Sequence, residues 1–367
     1  MFPNLKTDFV VVKLRQLLQS SRINRKLVVN QNNNESRHMI SLNKVFKKYT
    51  GRLRSFKAVY VINNLLNGKK LAHNKQLYQK HGLNRSIFSS LGSQVFKNKS
   101  KEIPWLDQPN GREELLKHPD FKKLDKEFQE QVLNFEENGF MILRNFFTEK
   151  EVEKSNEEVA RLMAEQKADF NYTGRKLMEA YKDSSFIEQT FFKNKKLLDF
   201  LGFVMGKKIL PFHTIHFIEG SEQRAHSDSI HMTTEPAGYM TAAWVAMEDT
   251  HEGNGPLFYY PGSHRLPYVM STDYDSGNTK YMIGEKVYTN YEDKIAAVIA
   301  EHNLKKEYFF AKKGDVLIWH ANLLHGGEGI KQVGTTRKSM VAHYFCEEAI
   351  CYHEISQRPA LLEGHDH

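Results

Sequence analysis

Apolar positions recur at two different periods along this chain, and the change of period divides it. Val10, Leu14, Leu17 and Leu18 fall at helical spacing, and the same spacing predicts one or two short helices between Met39 and Leu66. Amphipathic patterns predict helices over Phe121 to Glu137 and Glu149 to Glu165, on either side of a strand opened by Gly139, and helical character continues over Lys176 to Phe203. Beyond that point short apolar runs bounded by turn residues predict strands: Ile209 to Ile218, Tyr239 to Glu248, Pro256 to Tyr260, Lys306 to Phe310, Val316 to Trp319 and Lys338 to Phe345. The segment from Ser271 to Asn303 starts polar and glycine-containing and then predicts a helix around Tyr291 to Glu301, either a lid or a surface excursion. Helices first and many short strands later imply an α+β domain built on two facing sheets.

Charge adds a boundary. Residues 1–101 carry 21 Lys and Arg against only Asp8 and Glu35, a net +19, whereas residues 102–367 carry 31 against 42, a net −11. The expected organisation is a basic, mostly helical extension over 1–101, a main domain over 102–350 and a tail over 351–367. The Asn30 to Glu35 run predicts a loop, and Pro104, Pro109 and Gly111 mark the stretch from Phe96 to Arg112 as a connector. No run of 18 apolar residues exists, and Met1 to Asp8 lacks a signal-peptide pattern, so the expected location is cytoplasmic. Cys346 and Cys351 are the only cysteines; two thiols cannot make a four-thiolate zinc site, and a reduced pair is expected.

The candidate chemistry lies in the strand-rich half. His226 and Asp228 stand two apart, and on a strand such residues project from one face. His325 follows 97 residues after Asp228, just past the apolar run Val316 to Trp319. Two imidazoles and a carboxylate on one side of an octahedral ion leave the opposite positions open, the arrangement of non-haem Fe(II) oxygenases. Arg337 opens the next strand, where a returning chain brings it near His325 and its guanidinium can fork onto a carboxylate. His320 is the rival for the distal ligand, although the Leu-Leu-His-Gly context favours His325. His231 can line the substrate side or hold a ligand in place, and His264 is expected to be structural.

With these residues in view the sequence resembles the phytanoyl-CoA dioxygenase family of Fe(II)- and 2-oxoglutarate-dependent oxygenases, from about Gly139 to Phe345. Gly139-Phe-Met-Ile-Leu-Arg-Asn-Phe146 matches its opening strand, and Gly255-Pro-Leu-Phe-Tyr-Tyr-Pro-Gly-Ser-His-Arg265 matches its G-x-L-x-x-x-P-G-S-H-R segment. The resemblance implies a double-stranded β-helix, or cupin-like jelly roll, with Fe(II) held by His226, Asp228 and His325 and the co-substrate carboxylate by Arg337. It also places Trp244 beside the co-substrate. The second anchor of that co-substrate stays open among Thr214, His216, Arg175 and Lys176. One departure is visible, because the family often carries a serine soon after the distal histidine and here Gly326 and Gly327 follow it.

The implied reaction couples oxidative decarboxylation of 2-oxoglutarate, releasing succinate and CO2, to hydroxylation of a small-molecule or lipid-like substrate by O2. Asp228 favours hydroxylation or desaturation over halogenation, because halogenases of this kind replace the carboxylate with a small residue. A second class stays open: a catalytically silent jelly roll whose basic segment docks on an anionic membrane, at its inner face, or on nucleic acid. No nucleic-acid signature motif accompanies that charge, so nucleic acid is not an expected partner. The plain alternative for the basic segment is a helical cap with solvated lysines.

Overall fold

The structure is a computed structural model, and it describes residues 54–96, 100–167, 169–170 and 176–363. The helical stretch from Val10 to Leu18, the loop at Asn30 to Glu35 and Arg175 lie outside these residues. Thirteen strands are present among them: β1 (Phe140–Leu143), β2 (Asp169–Phe170), β3 (Lys176–Met178), β4 (Ile209–Phe217), β5 (Thr233–Glu235), β6 (Met240–Ala246), β7 (Leu257–Tyr259), β8 (Glu307–Phe309), β9 (Val316–His320), β10 (His325–Gly327), β11 (Ser339–Cys346), β12 (Ile350–His353) and β13 (Arg358–Pro359). A large sheet runs in the order β1-β9-β6-β11-β4-β3-β2, and two small sheets run β10-β7-β8 and β13-β12-β5. All six expected strands form, within a few residues of their expected ends.

Period-two alternation explains the layering. Ala242, Trp244 and Ala246 of β6, Leu317 and Trp319 of β9 and Val341 of β11 share a core with Leu257, Tyr259 and Phe309 of the small sheet. The residues between them, Ala243, Val245, Val316, Ile318, Met340 and Ala342, share another with Val132, Phe135, Val152 and Leu201 of the helices. Each central strand is thus buried on both faces, every residue of β6, β9 and β11 being buried. That is why these strands read as continuous apolar runs. This is the facing-sheet jelly roll with flanking helices that the sequence implied.

Local signals set the helix ends. Thr148 and Glu151 form a reciprocal capping box at the start of Glu149–Ala164. The helix expected over Phe121 to Glu137 is instead two, Pro119–Lys123 and Lys126–Asn138, because Leu124 is extended and the Asp125 carboxylate accepts the Phe128 N–H as a new N-cap. Lys126–Asn138 ends at Gly139, whose φ of 82° is left-handed and where a Cβ would stand 2.5 Å from the His264 ring. The Pro-Gly-Ser-His turn packs there, and His264 has the structural place expected of it. Lys176–Met178 is a strand rather than helix, since its pairing with Phe217, His216 and Ile215 on one side and with Asp169 and Phe170 on the other overrides local preference.

Packing does not divide where charge does. Residues 54–363 fall in a single compact unit. Leu71, Tyr78, Ile87 and Leu91, from the basic side of residue 101, share a core with Ile350 and Tyr352. Beyond residue 350 the chain continues as β12 and β13 rather than as a tail. Cys346 and Cys351 are free and buried, and burial pushes the Cys346 thiol up to about 12. No helix among the described residues is long and apolar enough to cross a membrane.

Candidate metal centre and its cavity

His226 and His325 face each other as an isolated bridge, each backbone N–H donating to the other's carbonyl at 2.9 Å. Asp228 does not lie on a strand as expected; it opens a 3-10 turn, Asp228–Ile230, after a single extended residue, Ser227. That one residue is enough to turn the carboxylate to the same side as the imidazole. One nitrogen from each histidine and one Asp228 oxygen lie within 4.8 Å of one another.

Hydrogen bonds aim these atoms. His226 Nδ1 lies 2.9 Å from the Arg224 carbonyl and His325 Nδ1 3.0 Å from the Leu323 carbonyl. A carbonyl only accepts, so both Nδ1 atoms carry the proton and both Nε2 atoms keep a lone pair for a ligand. Asp228 Oδ1 sits 3.9 Å from His226 Nε2 and 3.7 Å from His325 Nε2. Its Oδ2 accepts the Trp319 indole N–H at 2.7 Å and stands 3.4 Å from His343 Nε2. Burial and the neighbouring His325 hold His226 well below its ordinary range, so the ring is neutral. Burial pushes the Asp228 carboxyl upward, but the His343 side chain beside its Oδ2 counters this, and the net direction is well below the usual range. A neutral imidazole and an ionised carboxylate are the forms that bind a metal.

The three residues border a cavity of about 420 Å³ that Trp244 and Arg337 also line. Arg337 is buried, its Nη1 donates to Ser339 Oγ at 3.1 Å, and its Nε has no partner. The guanidinium lies 5.6 Å from the Trp244 ring and 6.0 Å from that of Phe217. Burial pushes its pKa down to about 10, which leaves it charged at neutral pH. A buried cation with an orphaned N–H is costly until an anion meets it.

Thr214 and His216 do not reach this cavity. Alternation along β4 turns His213, Ile215 and Phe217 toward it and the two residues between them to the opposite face. Thr214 Oγ1 and both His216 ring nitrogens are buried there without hydrogen-bond partners. Of the other candidates for the second anchor, Lys176 lines the cavity. His320 bonds to Asp107 at 3.1 Å, outside the metal group.

The glycine departure has a steric cause. A Cβ on Gly326 would stand 2.6 Å from the Gln223 carbonyl, and one on Gly327 would collide with the Ser221 hydroxyl. Ser221, itself on the cavity wall, fills the space a serine side chain would need. The insertion also has a definite place. Its helix, Val287–Glu301, sends the Tyr291 hydroxyl to the Ser227 N–H at 2.9 Å, and the Gln223 amide donates to the Tyr288 hydroxyl at 2.6 Å. It buttresses the metal-ligand loop from behind. The sequence offered no sign of Trp319, Gln223, His213, His343, His353 or Arg358, beyond the requirement that a buried indole N–H find an acceptor.

Comparison with known proteins agrees with this geometry. Residues 135–338, more than half of the chain, match the family profile described as phytanoyl-CoA dioxygenase (PhyH). Peroxisomal phytanoyl-CoA dioxygenase of Bos taurus is 24% identical over 247 residues, 61% of this chain and 69% of its own. Ectoine dioxygenase of Nocardia farcinica is 25% identical over 215 residues, 54% of this chain and 71% of its own. The fold is shared with EctD from S. alaskensis, solved with 2-oxoglutarate and 5-hydroxyectoine, at a TM-score of 0.50 and 18% identity over 66% of this chain and 86% of that one. The chain belongs to the phytanoyl-CoA dioxygenase family and is an Fe(II)- and 2-oxoglutarate-dependent dioxygenase.

Proposed function

We propose that this dioxygenase hydroxylates a C–H bond of a small molecule bound in the cavity, with His226, Asp228 and His325 as the iron ligands and Arg337 as the partner of the distal carboxylate of 2-oxoglutarate. One observation carries the reading: two imidazole lone pairs and one carboxylate oxygen converge beside a cavity that also holds a buried guanidinium with an orphaned N–H. Bound iron with 2-oxoglutarate and O2 supplies the oxidising chemistry, and the co-substrate leaves as succinate and CO2.

The protein's part is to bind, orient and keep water out. Trp319 holds the Asp228 carboxylate in the plane that presents Oδ1, and the two Nδ1 bonds to backbone carbonyls fix the rings. Ile215, Phe217, Leu257 and Val341 make an apolar wall around the reacting space, which strengthens the pairing of Arg337 with an anion. Asp228 would ligate the iron where a halogenase leaves room for halide, which favours hydroxylation or desaturation. Anaerobic addition of Fe(II) and 2-oxoglutarate tests the assignment. The visible charge-transfer band of the chelate is expected in the wild type, absent in His226→Ala and weakened in Arg337→Ala. A folded wild-type protein without the band would refute it.

A further inference from the structure

A second arginine lines the cavity. Arg358, on β13, shares the wall with the metal group. Its Nε donates to Ser356 Oγ at 3.2 Å and its guanidinium lies 5.5 Å over the Tyr60 ring. Among the described residues its charge meets no carboxylate; the ionisable groups that act on it or feel it are Tyr60, Arg54, His213 and His353. Such a cation, partly removed from water, is stabilised further when an anion reaches it.

The two arginines occupy different ends of the wall. Arg337 belongs to the Phe217 end of β4, where its backbone N–H donates to the Ile218 carbonyl at 3.1 Å. Arg358 pairs in register with His353, whose ring lies 5.7 Å from that of Phe212, and this is the His213 end of β4. At the usual strand rise the four steps from His213 to Phe217 span roughly 13 Å. Asp228 sits beside His343, which is in register with His213, so Arg358 and the metal group share an end. One anion on Arg337 therefore leaves Arg358 unanswered.

The wall near Arg358 carries further unmet polar atoms. The His213 and His343 rings lie 4.7 Å apart, tilted against each other, and His213 Nε2 and His343 Nδ1 are buried without hydrogen-bond partners. Both rings border the cavity. Arg358 and its support Tyr60 lie outside residues 135–338, the part matched by the family profile. Tyr60 comes from the helix Lys57–Leu66 of the basic segment.

We propose that Arg358 is the substrate-recognising cation: the molecule oxidised here carries an acidic group, a carboxylate or a phosphate, that docks on Arg358, and a polar group within reach of His213. Either acid suits the planar fork of a guanidinium. The proposal rests on the assignment of Arg337 to 2-oxoglutarate, and its test separates the two.

Full-length protein is loaded anaerobically with Fe(II) and 2-oxoglutarate and checked by the chelate band. Calorimetry then compares hexanoate with hexanamide, and hexyl phosphate with hexanol. At least one acid should bind about tenfold or more tighter than its neutral mate, and the pair that shows this identifies the acid. Arg358→Gln should bring that preference to within about twofold while leaving the band intact. Should Arg358→Gln fail to fold, Tyr60→Leu, which removes the ring under the guanidinium, should lower the preference about threefold. Equal binding of acid and neutral mate, no binding of any acid, or a preference that survives these changes would overturn the proposal. A wild type without the band would overturn the cofactor assignment, and this proposal with it.

Discussion

Two of the buried carboxylates among the described residues, Glu354 and Asp228, are treated in opposite ways. Glu354 is fully buried and its two oxygens accept four bonds, from the Ser93 N–H at 2.8 Å, the Ser93 hydroxyl at 2.7 Å, the Ser271 N–H at 3.0 Å and the Ser271 hydroxyl. Asp228 has one oxygen bonded to Trp319, while the other faces two ring nitrogens whose protons point elsewhere. A buried ion is stable when its lone pairs are filled. The filled carboxylate ties chain segments together; the half-filled one is reserved for a cation.

That contrast can be broken at several points. Asp228→Ala should give the largest effect, lowering iron retention and succinate release by more than about 100-fold, beyond the loss typical of a group that only orients a ligand. Metal analysis and a succinate assay read it. Arg337→Ala removes a buried charge partner and should raise the dissociation constant of 2-oxoglutarate about 30- to 1,000-fold, seen by titrating the chelate band. Trp319→Phe keeps the ring and deletes the donor to Asp228, so iron affinity should fall about 10- to 100-fold with the fold intact; competition against a chelator measures it. Glu354→Gln should do the reverse, leaving iron affinity unchanged while costing about 1.5–3 kcal/mol of stability through lost charge-assisted bonds, read as a lower Tm. The smallest effect belongs to Thr214→Val, which should move 2-oxoglutarate affinity by less than about twofold because the side chain faces away from the cavity.

The parts of the site that could be read from sequence are those whose spacing reports geometry. His226 and Asp228 needed only one extended residue between them, and His325 and Arg337 needed only the ends of strands whose apolar runs were plain. Thr214 and His216 failed by one residue of parity: β4 was correctly placed, but which of its faces meets the cavity depends on sheets far away in sequence. Trp319 and Arg358 were illegible for another reason. Each acts through a partner 91 residues away or more, Asp228 for one and Tyr60 for the other, and no local pattern encodes such a pairing. The fold shows the same division. Asp125 breaks a helix by a cap that periodicity alone overlooks, and the charge boundary near residue 101 hides a core built from both sides of it.

The clasp at Glu354 also sets an order of events during synthesis. Its serines lie 261 and 83 residues upstream, so Ser93 and Ser271 must wait for residue 354 to leave the ribosome before either can be bonded. Domains generally fold as units from the N-terminal side as they emerge, yet the segment around Leu71 to Leu91 cannot complete its core until Ile350 and Tyr352 arrive. Contacts of such long sequence separation form slowly. The chain must therefore carry a basic and partly apolar segment while the roughly 260 residues up to Ile350 are made, an interval in which that segment stands exposed to aggregation.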